Sequence, residues 1–374
     1  MPIDFQQTPR LPQTIRPIVI IGAGSIVRDA HLPAYRKAGF RVESLYDVNQ
    51  ARATSLAHEF GAGRVPSSLD QAIGEAPPGA VFDVAVPAPA ILDVLPHLPD
   101  GCAVLIQKPL GENLAQAREI VATCRRKNLK AAVNFQLRYA PYVVAVRSLI
   151  EQGLAGGLHS LEVRVAVHTP WELWSFLKNN PRVEILYHSI HYLDLVRSFL
   201  GEPLGVYAKT TRHPQAPDLA ATRSCLILDY GESVHACISA THGHVFGRRY
   251  QESFIRWETT RGAMVAKMGV SLDYPRGEPD ELDVCLLDGT GRPNWESVPL
   301  HGSWFPDAFI GTMASVMRWA EGSDGPAPTA VEDAIKTMAL VEAAYQSSAS
   351  GGTSIPNSSP GRSWSGRSVA CSDK

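Results

Sequence analysis

"PIVIIGAGSIVRDA", residues 17–30, decides the fold. A short apolar run enters two glycines, and the helical pattern "SIVRDAHLPAYRKAG" follows and ends at Gly39. Glycine has a steric reason here. Gly22 permits a tight turn, and Gly24 lets the main chain approach a pyrophosphate at the positive end of a helix opened by Ser25 and Ile26. The third glycine of a dinucleotide turn serves close helix packing, and Val27 stands in its place. That weakens the signature without excluding the ligand; the alternative is a purely structural turn.

Moving outward, "RVESLYD" is a second strand ending at Asp47, 25 residues beyond Gly22 and just before Val48. A carboxylate at that strand end accepts hydrogen bonds from the adenosine ribose and repels a 2′-phosphate. NAD is therefore expected over NADP, although Arg52, one turn on, leaves NADP possible. Asp47 also has the form of a helix N-cap. Further strands ("AVFDVAVP", "CAVLIQKP", "KAAVNFQ") alternate with the helical "QARATSLAHEFG", "AILDVLPHL" and "NLAQAREIVATCRRKN". This alternation predicts a parallel sheet wound on both sides, a Rossmann domain over residues 17–140 behind an N-terminal extension, 1–16.

After the helical "APYVVAVRSLIEQG" the texture changes. "LHSLEVRVAV", "TRSCLILDY", "ESVHACISATH", "ESFIRWETT", "GAMVAKM" and "LDVCLLD" are short β-rich runs. They predict a second domain, 141–356, of α+β type built on a large, mostly antiparallel sheet. Two late helices, "PDAFIGTMASVMRWAEG" and "AVEDAIKTMALVEAAYQSS", are placed to pack back on the first domain. The Ser/Gly-rich end, 357–374, reads as a disordered tail.

Composition sets the bounds. The chain of 374 residues exceeds one ordinary core, and 45% hydrophobic with 19% charged residues suits a soluble globular protein. Thirty-five basic side chains against 37 acidic ones give no nucleic-acid surface, so a small molecule is the expected partner. Six cysteines without a C-x-x-C pair read as a reduced, cytoplasmic protein, and neither a secretory signal nor a membrane span is expected.

"VLIQKPLGENLAQA" follows a strand whose carboxyl end faces the ligand crevice of a parallel sheet. Lys108 would stand beside a bound nicotinamide; otherwise it is a surface lysine before a turn proline. Val86 and Pro87, Gln107, and Gln136 sit at equivalent strand ends and are candidate cofactor neighbours. Gln136 and Arg138 in "VNFQLRYAP" are candidates for substrate contact, with a hinge role as the alternative. Trp171 and Trp174 in "HTPWELWSFLKNNPR" suit the apolar face of a sugar, or serve as core anchors.

These motifs, with "GAGSIV", "YDVN", "VAVPAP" and "HSIHYLDLVRSFLG" in order and register, resemble the Gfo/Idh/MocA oxidoreductases over residues 17–356. The resemblance implies an NAD(P)-dependent dehydrogenase acting on CH–OH groups of a sugar or cyclic polyol, and a homodimer or homotetramer. Where the family has Glu-Lys-Pro, this chain has Gln107-Lys108-Pro109; the lysine is kept and the carboxylate is lost.

"EILYHSIHYLDLVRSFLG", 184–201, is the other chemical stretch. At 100° per residue Leu186, Ile190, Leu193, Val196 and Leu200 form an apolar stripe. Glu184, Tyr187, His188, His191 and Asp194 spread over the other side, toward a cleft or water. The resemblance places His191 as the histidine presented to substrate, with Tyr187 and His188 beside it; Tyr187 stands where the family often has aspartate. A metal held by His188, His191 and Glu184 is the rival reading, but no further ligand motif accompanies them, and no metal is expected. The chemistry expected is reversible hydride transfer, with His191 as general acid/base and Lys108 polarising the reacting oxygen. The alternative is a nucleotide-sensing protein that keeps the fold without catalysis.

Overall fold

The computed structural model describes residues 5–178, 180–274 and 276–353. The predicted tail, 357–374, lies outside the described residues.

The first sheet has five parallel strands in the order β2-β1-β3-β4-β5: β1 Ile18–Ile21, β2 Val42–Tyr46, β3 Val81–Val84, β4 Ala103–Ile106 and β5 Lys130–Val133. Arg64 extends it past β2 by one parallel bridge to Ser44. In β1, Val19 and Ile21 join one core cluster while Ile18 and Ile20 join the other, so both faces are buried and the strand reads as unbroken apolar sequence. Helix Ala308–Glu321, from far along the chain, covers the second face through Phe309, Met313 and Met317. The chain crosses from β2 over β1 to β3, so the ligand crevice opens at the carboxyl ends of β1 and β3.

The second sheet has eight strands in the order β13-β12-β11-β10-β6-β9-β8-β7. They are β6 Leu158–Ala166, β7 Gly205–Thr211, β8 Arg223–Asp229, β9 His235–Thr241, β10 Glu252–Thr259, β11 Gly262–Lys267, β12 Glu281–Leu287 and β13 Pro293–Ser297. Neighbours are antiparallel except β6 and β9. Alternate residues of β8, β9 and β10 are buried, so one face meets the core, where Trp257 is fully enclosed. Helices Pro141–Glu151 and Ile190–Leu200 add their apolar faces to that core. The last helix, Val331–Ser350, packs on β7 and on helix Leu114–Arg126, and so touches both domains. Among the described residues no helix is long and apolar enough to cross a membrane.

Several local readings change. The "AILDVLPHL" helix is only Ile91–Val94 between two 3₁₀ turns, because Pro89 and Pro96 each remove a backbone donor. The edge strands β7 and β13, and helix Leu69–Gly74 capped by Ser68, are additional elements. Two helices open with a π-turn, Val27–His31 and Ile185–Ser189. The wider turn breaks the 100° phase on which the helical drawing of 184–201 depends. That segment is largely enclosed as well: Glu184, His191, Asp194 and Arg197 are buried, while Tyr187 and His188 are half-buried.

Candidate active site

Gly22 has φ +111°, and a Cβ there would lie 2.4 Å from the Ala85 carbonyl oxygen and 3.3 Å from Val86 N. Only glycine lets β1 and β3 close this tightly. A Cβ at Gly24 would meet nothing within 4 Å, so the main chain there borders open space at the start of the helix through Ser25 and Ile26. Val27, in the place of the third glycine, turns inward and is fully buried. Asp47 ends β2 and reaches back: Oδ2 accepts from Ala23 N–H at 2.7 Å and Oδ1 from Asn49 N–H at 2.7 Å. The helix cap is Asn49, which accepts from Arg52 N–H. Asp47 is thereby free of the capping duty and borders the glycine turn, while Val48 beside it is exposed. A turn with no room for a side chain, open space at a helix N-terminus and a carboxylate at the second strand end fit a dinucleotide.

At the end of β4, Gln107 is buried and its Oε1 accepts from the Lys108 N–H at 2.8 Å. The Lys108–Pro109 bond is cis. Lys108 Nζ donates to the Tyr187 carbonyl at 2.7 Å. The first domain's ammonium therefore lands one residue before His188 and one helical turn before His191. Burial lowers the Lys108 ammonium to about 8. His191 is pushed below the ordinary imidazole value by burial first and then by the charge of Lys108. His188 is lowered by burial, then by His242, Lys108 and His191. Three basic groups thus share one neighbourhood, with His191 buried and Lys108 and His188 half-buried. The His191 ring stands edge-on to Phe135 and Trp304, and its Nδ1 is buried without a partner.

His188 packs against Trp171 and His242, ring centroids 5.0 and 4.6 Å away. His242 is held by Thr169 Oγ1 at 2.8 Å and lies 3.5 Å from Glu184 Oε1. Glu184, the carboxylate that a metal reading needs, also accepts from Ser189 Oγ at 2.5 Å. Among the described residues no group of three or more His, Cys, Asp or Glu side chains is arranged to hold a metal ion. A groove of about 350 Å³ opens beside His242, lined among others by Trp171, Lys178 and His213. Trp174 stacks toward Tyr274 instead. Tyr187 gives its carbonyl to Lys108, while its hydroxyl receives Asn180 Nδ2 at 3.2 Å and its ring meets Phe176.

Two more candidates sit after β5. Gln136 is buried with Oε1 unpartnered, facing no protein donor. Arg138, the other candidate for substrate contact, is engaged by protein groups. Its guanidinium is taken up by both oxygens of Asp194, at 2.6 and 2.7 Å, by Asp333 at 2.7 Å and by the Pro328 carbonyl at 2.9 Å. A buried carboxylate on the neighbouring helix needs that cation, so Arg138 ties helices together. Sequence reasoning missed His242 and Thr169, which reach the site only because β9 and the segment after β6 end beside each other. No local pattern marks them.

The comparisons agree with this architecture. Residues 16–135 match the model of the Gfo/Idh/MocA oxidoreductase family with an NAD-binding Rossmann fold, and residues 143–265 match the family's C-terminal domain. The chain belongs to the Gfo/Idh/MocA family. Its first domain is an NAD-binding Rossmann domain, and the protein is an NAD(P)-dependent oxidoreductase. A curated relative, D-apiose dehydrogenase of Paraburkholderia graminis, is 26% identical over 346 residues, covering 89% of this chain and 88% of that one. An oxidoreductase from Agrobacterium radiobacter, solved with NAD+, L-tartaric acid and magnesium, has a TM-score of 0.74 at 20% identity, covering 90% of this chain and 97% of its own. Levoglucosan dehydrogenase, solved with NADH and levoglucosan, has a TM-score of 0.71 at 18% identity with the same coverage. These two structural likenesses speak for the fold.

Proposed function

We propose that this protein oxidises a carbinol of a sugar or cyclic polyol, reversibly, with NAD as hydride acceptor. One observation carries the reading: the Lys108 ammonium of the NAD-binding domain reaches the helix of the second domain that bears His188 and His191. A bound NAD would supply the redox chemistry, as acceptor of the carbinol hydride.

The chain's own residues handle the proton and the charge. His191, neutral near pH 7 because burial and Lys108 lower it, takes the hydroxyl proton as the C–H bond breaks. Lys108, still mostly an ammonium at that pH, donates to the same oxygen and stabilises the charge growing on it. The products are a ketone or aldehyde, reduced cofactor and one proton. Gly22, Gly24, Ser25 and Ile26 would hold the pyrophosphate of a bound NAD, and Asp47 and Val48 its adenosine ribose. Val86, Pro87, Gln107, Lys108 and Gln136 would hold its nicotinamide end.

Trp171, edge-on to His188, would offer a sugar ring an apolar face; the groove that Trp171 lines with His242 adjoins His188 but is not itself lined by Lys108, His188 or His191. The sugar dehydrogenases among the curated relatives support this substrate class. Asp47 favours NAD over NADP.

The test is absorbance of reduced cofactor while a panel of aldoses, glycosides and inositols is offered with NAD or NADP. Turnover on at least one, abolished by Lys108→Ala, supports the assignment. Tight NAD binding with no turnover on any substrate would replace it with a nucleotide-sensing role.

A further inference from the structure

Beneath Lys108 lies a chain of buried polar groups that the proposed chemistry does not use. Asp83 on β3, His31 and Tyr35 on the first helix, Gln107 after β4, Asn134 after β5 and Thr312 on helix Ala308–Glu321 are all buried. His31 Nδ1 is 2.7 Å from Asp83 Oδ2, and the Tyr35 hydroxyl donates to the same oxygen at 2.7 Å. His31 Nε2 is 3.3 Å from both Gln107 Nε2 and Asn134 Nδ2. Thr312 Oγ1 donates to Asn134 Oδ1 at 2.8 Å.

The proton positions follow from one covalent obligation. The Lys108 main-chain N–H can only donate, so the Gln107 atom facing it at 2.8 Å is the carbonyl oxygen. The amide nitrogen of Gln107 then faces His31 and donates. Nε2 of His31 is therefore the bare nitrogen, and Nδ1 carries the hydrogen that goes to Asp83. Asn134 Nδ2 also faces Nε2, but the single Thr312 hydroxyl proton has a second acceptor in the Phe309 carbonyl at 3.1 Å, so the proton order rests on Gln107.

We propose that Gln107 is a positioning residue for Lys108, acting as an amide that the Asp83–His31 pair orients. His31 offers it an acceptor, which turns its carbonyl onto the Lys108 N–H. A glutamate at 107 would set a carboxylate against that bare nitrogen, acceptor against acceptor, and bring a second negative group beside Asp83 in a dry interior. The importance of the clamp rests on the reading of Lys108 as the group holding the reacting oxygen; the proton order stands apart from it.

The decisive measurement is an imidazole nitrogen-15 spectrum of the full chain with NAD bound, without substrate. The expected spectrum shows His31 with Nδ1 protonated and Nε2 bare; a proton on Nε2 would overturn the proposal. Gln107→Glu and Asp83→Asn should each lower the thermal midpoint. In a sugar assay each should lower kcat roughly tenfold to a hundredfold, with NAD affinity changing much less. The double variant Asp83→Asn/Gln107→Glu moves the carboxylate across the ring. It should reverse the His31 tautomer and recover most of both losses; a double variant no better than the worse single one would also overturn the clamp. Spectrum and thermal midpoint need no turnover, so they decide the clamp even if no sugar is oxidised.

Discussion

The Lys108 ammonium, carried by the Rossmann domain, donates to the Tyr187 carbonyl of the second domain at 2.7 Å. This bond brings a half-buried cation to the start of the helix that carries His188 and His191. The first predictions concern this meeting.

Lys108→Ala and His191→Ala should each reduce kcat/KM by about 100- to 10,000-fold, the range for losing one proton-transfer or charge-stabilising group. NAD binding, followed by fluorescence titration, should change little, because neither side chain forms the glycine turn. Near-normal rates in both variants would remove the proposed chemistry.

The alkaline side of the pH profile belongs to Lys108. Its ammonium is lowered from 10.5 to about 8 by burial, so sugar oxidation should fall as pH rises through about 8. The acid limb should lie below the usual imidazole range, since His191 is lowered as well. Steady-state rates from pH 5 to 10 check both limbs; a flat profile between 7 and 10 would contradict the role of the ammonium.

The same shift has a stability consequence with the opposite sign from a paired carboxylate. Between about 8 and 10.5 the unfolded chain holds the Lys108 proton more tightly than the folded one, so stability from this group rises with pH across that window. Below 8 the full penalty applies. Lys108→Met should therefore be more stable than the parent at pH 7, by about 2 kcal/mol, while losing activity. Chemical denaturation of the two proteins at pH 7 measures it.

Arg138→Ala should act on stability alone. It leaves the Asp194 carboxylate, 1% exposed, with Thr337 Oγ1 at 3.0 Å and the Arg197 guanidinium at 3.9 Å as its remaining partners. Stranding a buried charge costs about 3 kcal/mol or more. Thermal unfolding should show the loss, and the folded fraction should keep its KM for substrate.

Asp47→Ala should weaken NAD by about tenfold or more and narrow the preference over NADP. It removes an acceptor for the ribose and also the anchor of Ala23 in the glycine turn. Paired titrations with both cofactors give the ratio, and unchanged NAD affinity would refute the placement of Asp47.

The glycine turn, Asp47 and the parallel sheet were legible in sequence because each follows from local sterics: φ at Gly22, a strand end, an apolar run buried on both faces. Lys108 was legible as a strand-end residue, and the resemblance pointed to His191. Their shared neighbourhood was not legible, since almost eighty residues and a change of domain separate Tyr187 from Lys108. Arg138 looked like a ligand contact because a strand-end arginine gives no sign of Asp194 and Asp333, which come from distant helices. His242 and Thr169 had no signal at all; a histidine at the end of a strand acquires meaning only from the strand that ends beside it. The edge strands β7 and β13 escaped because β13 is exposed throughout and carries no burial pattern.

The two π-turns, at Val27–His31 and Ile185–Ser189, each hold a histidine that faces the ligand side of its domain or the network beneath it. Spacing along the chain thus aims these side chains there as much as their identity does. Deleting Ser189, which lies between them, would keep His188 and His191 in the sequence yet rotate the one against the other by about 100°, one helical step. Such an enzyme would hold its full set of reagents and aim them at different walls.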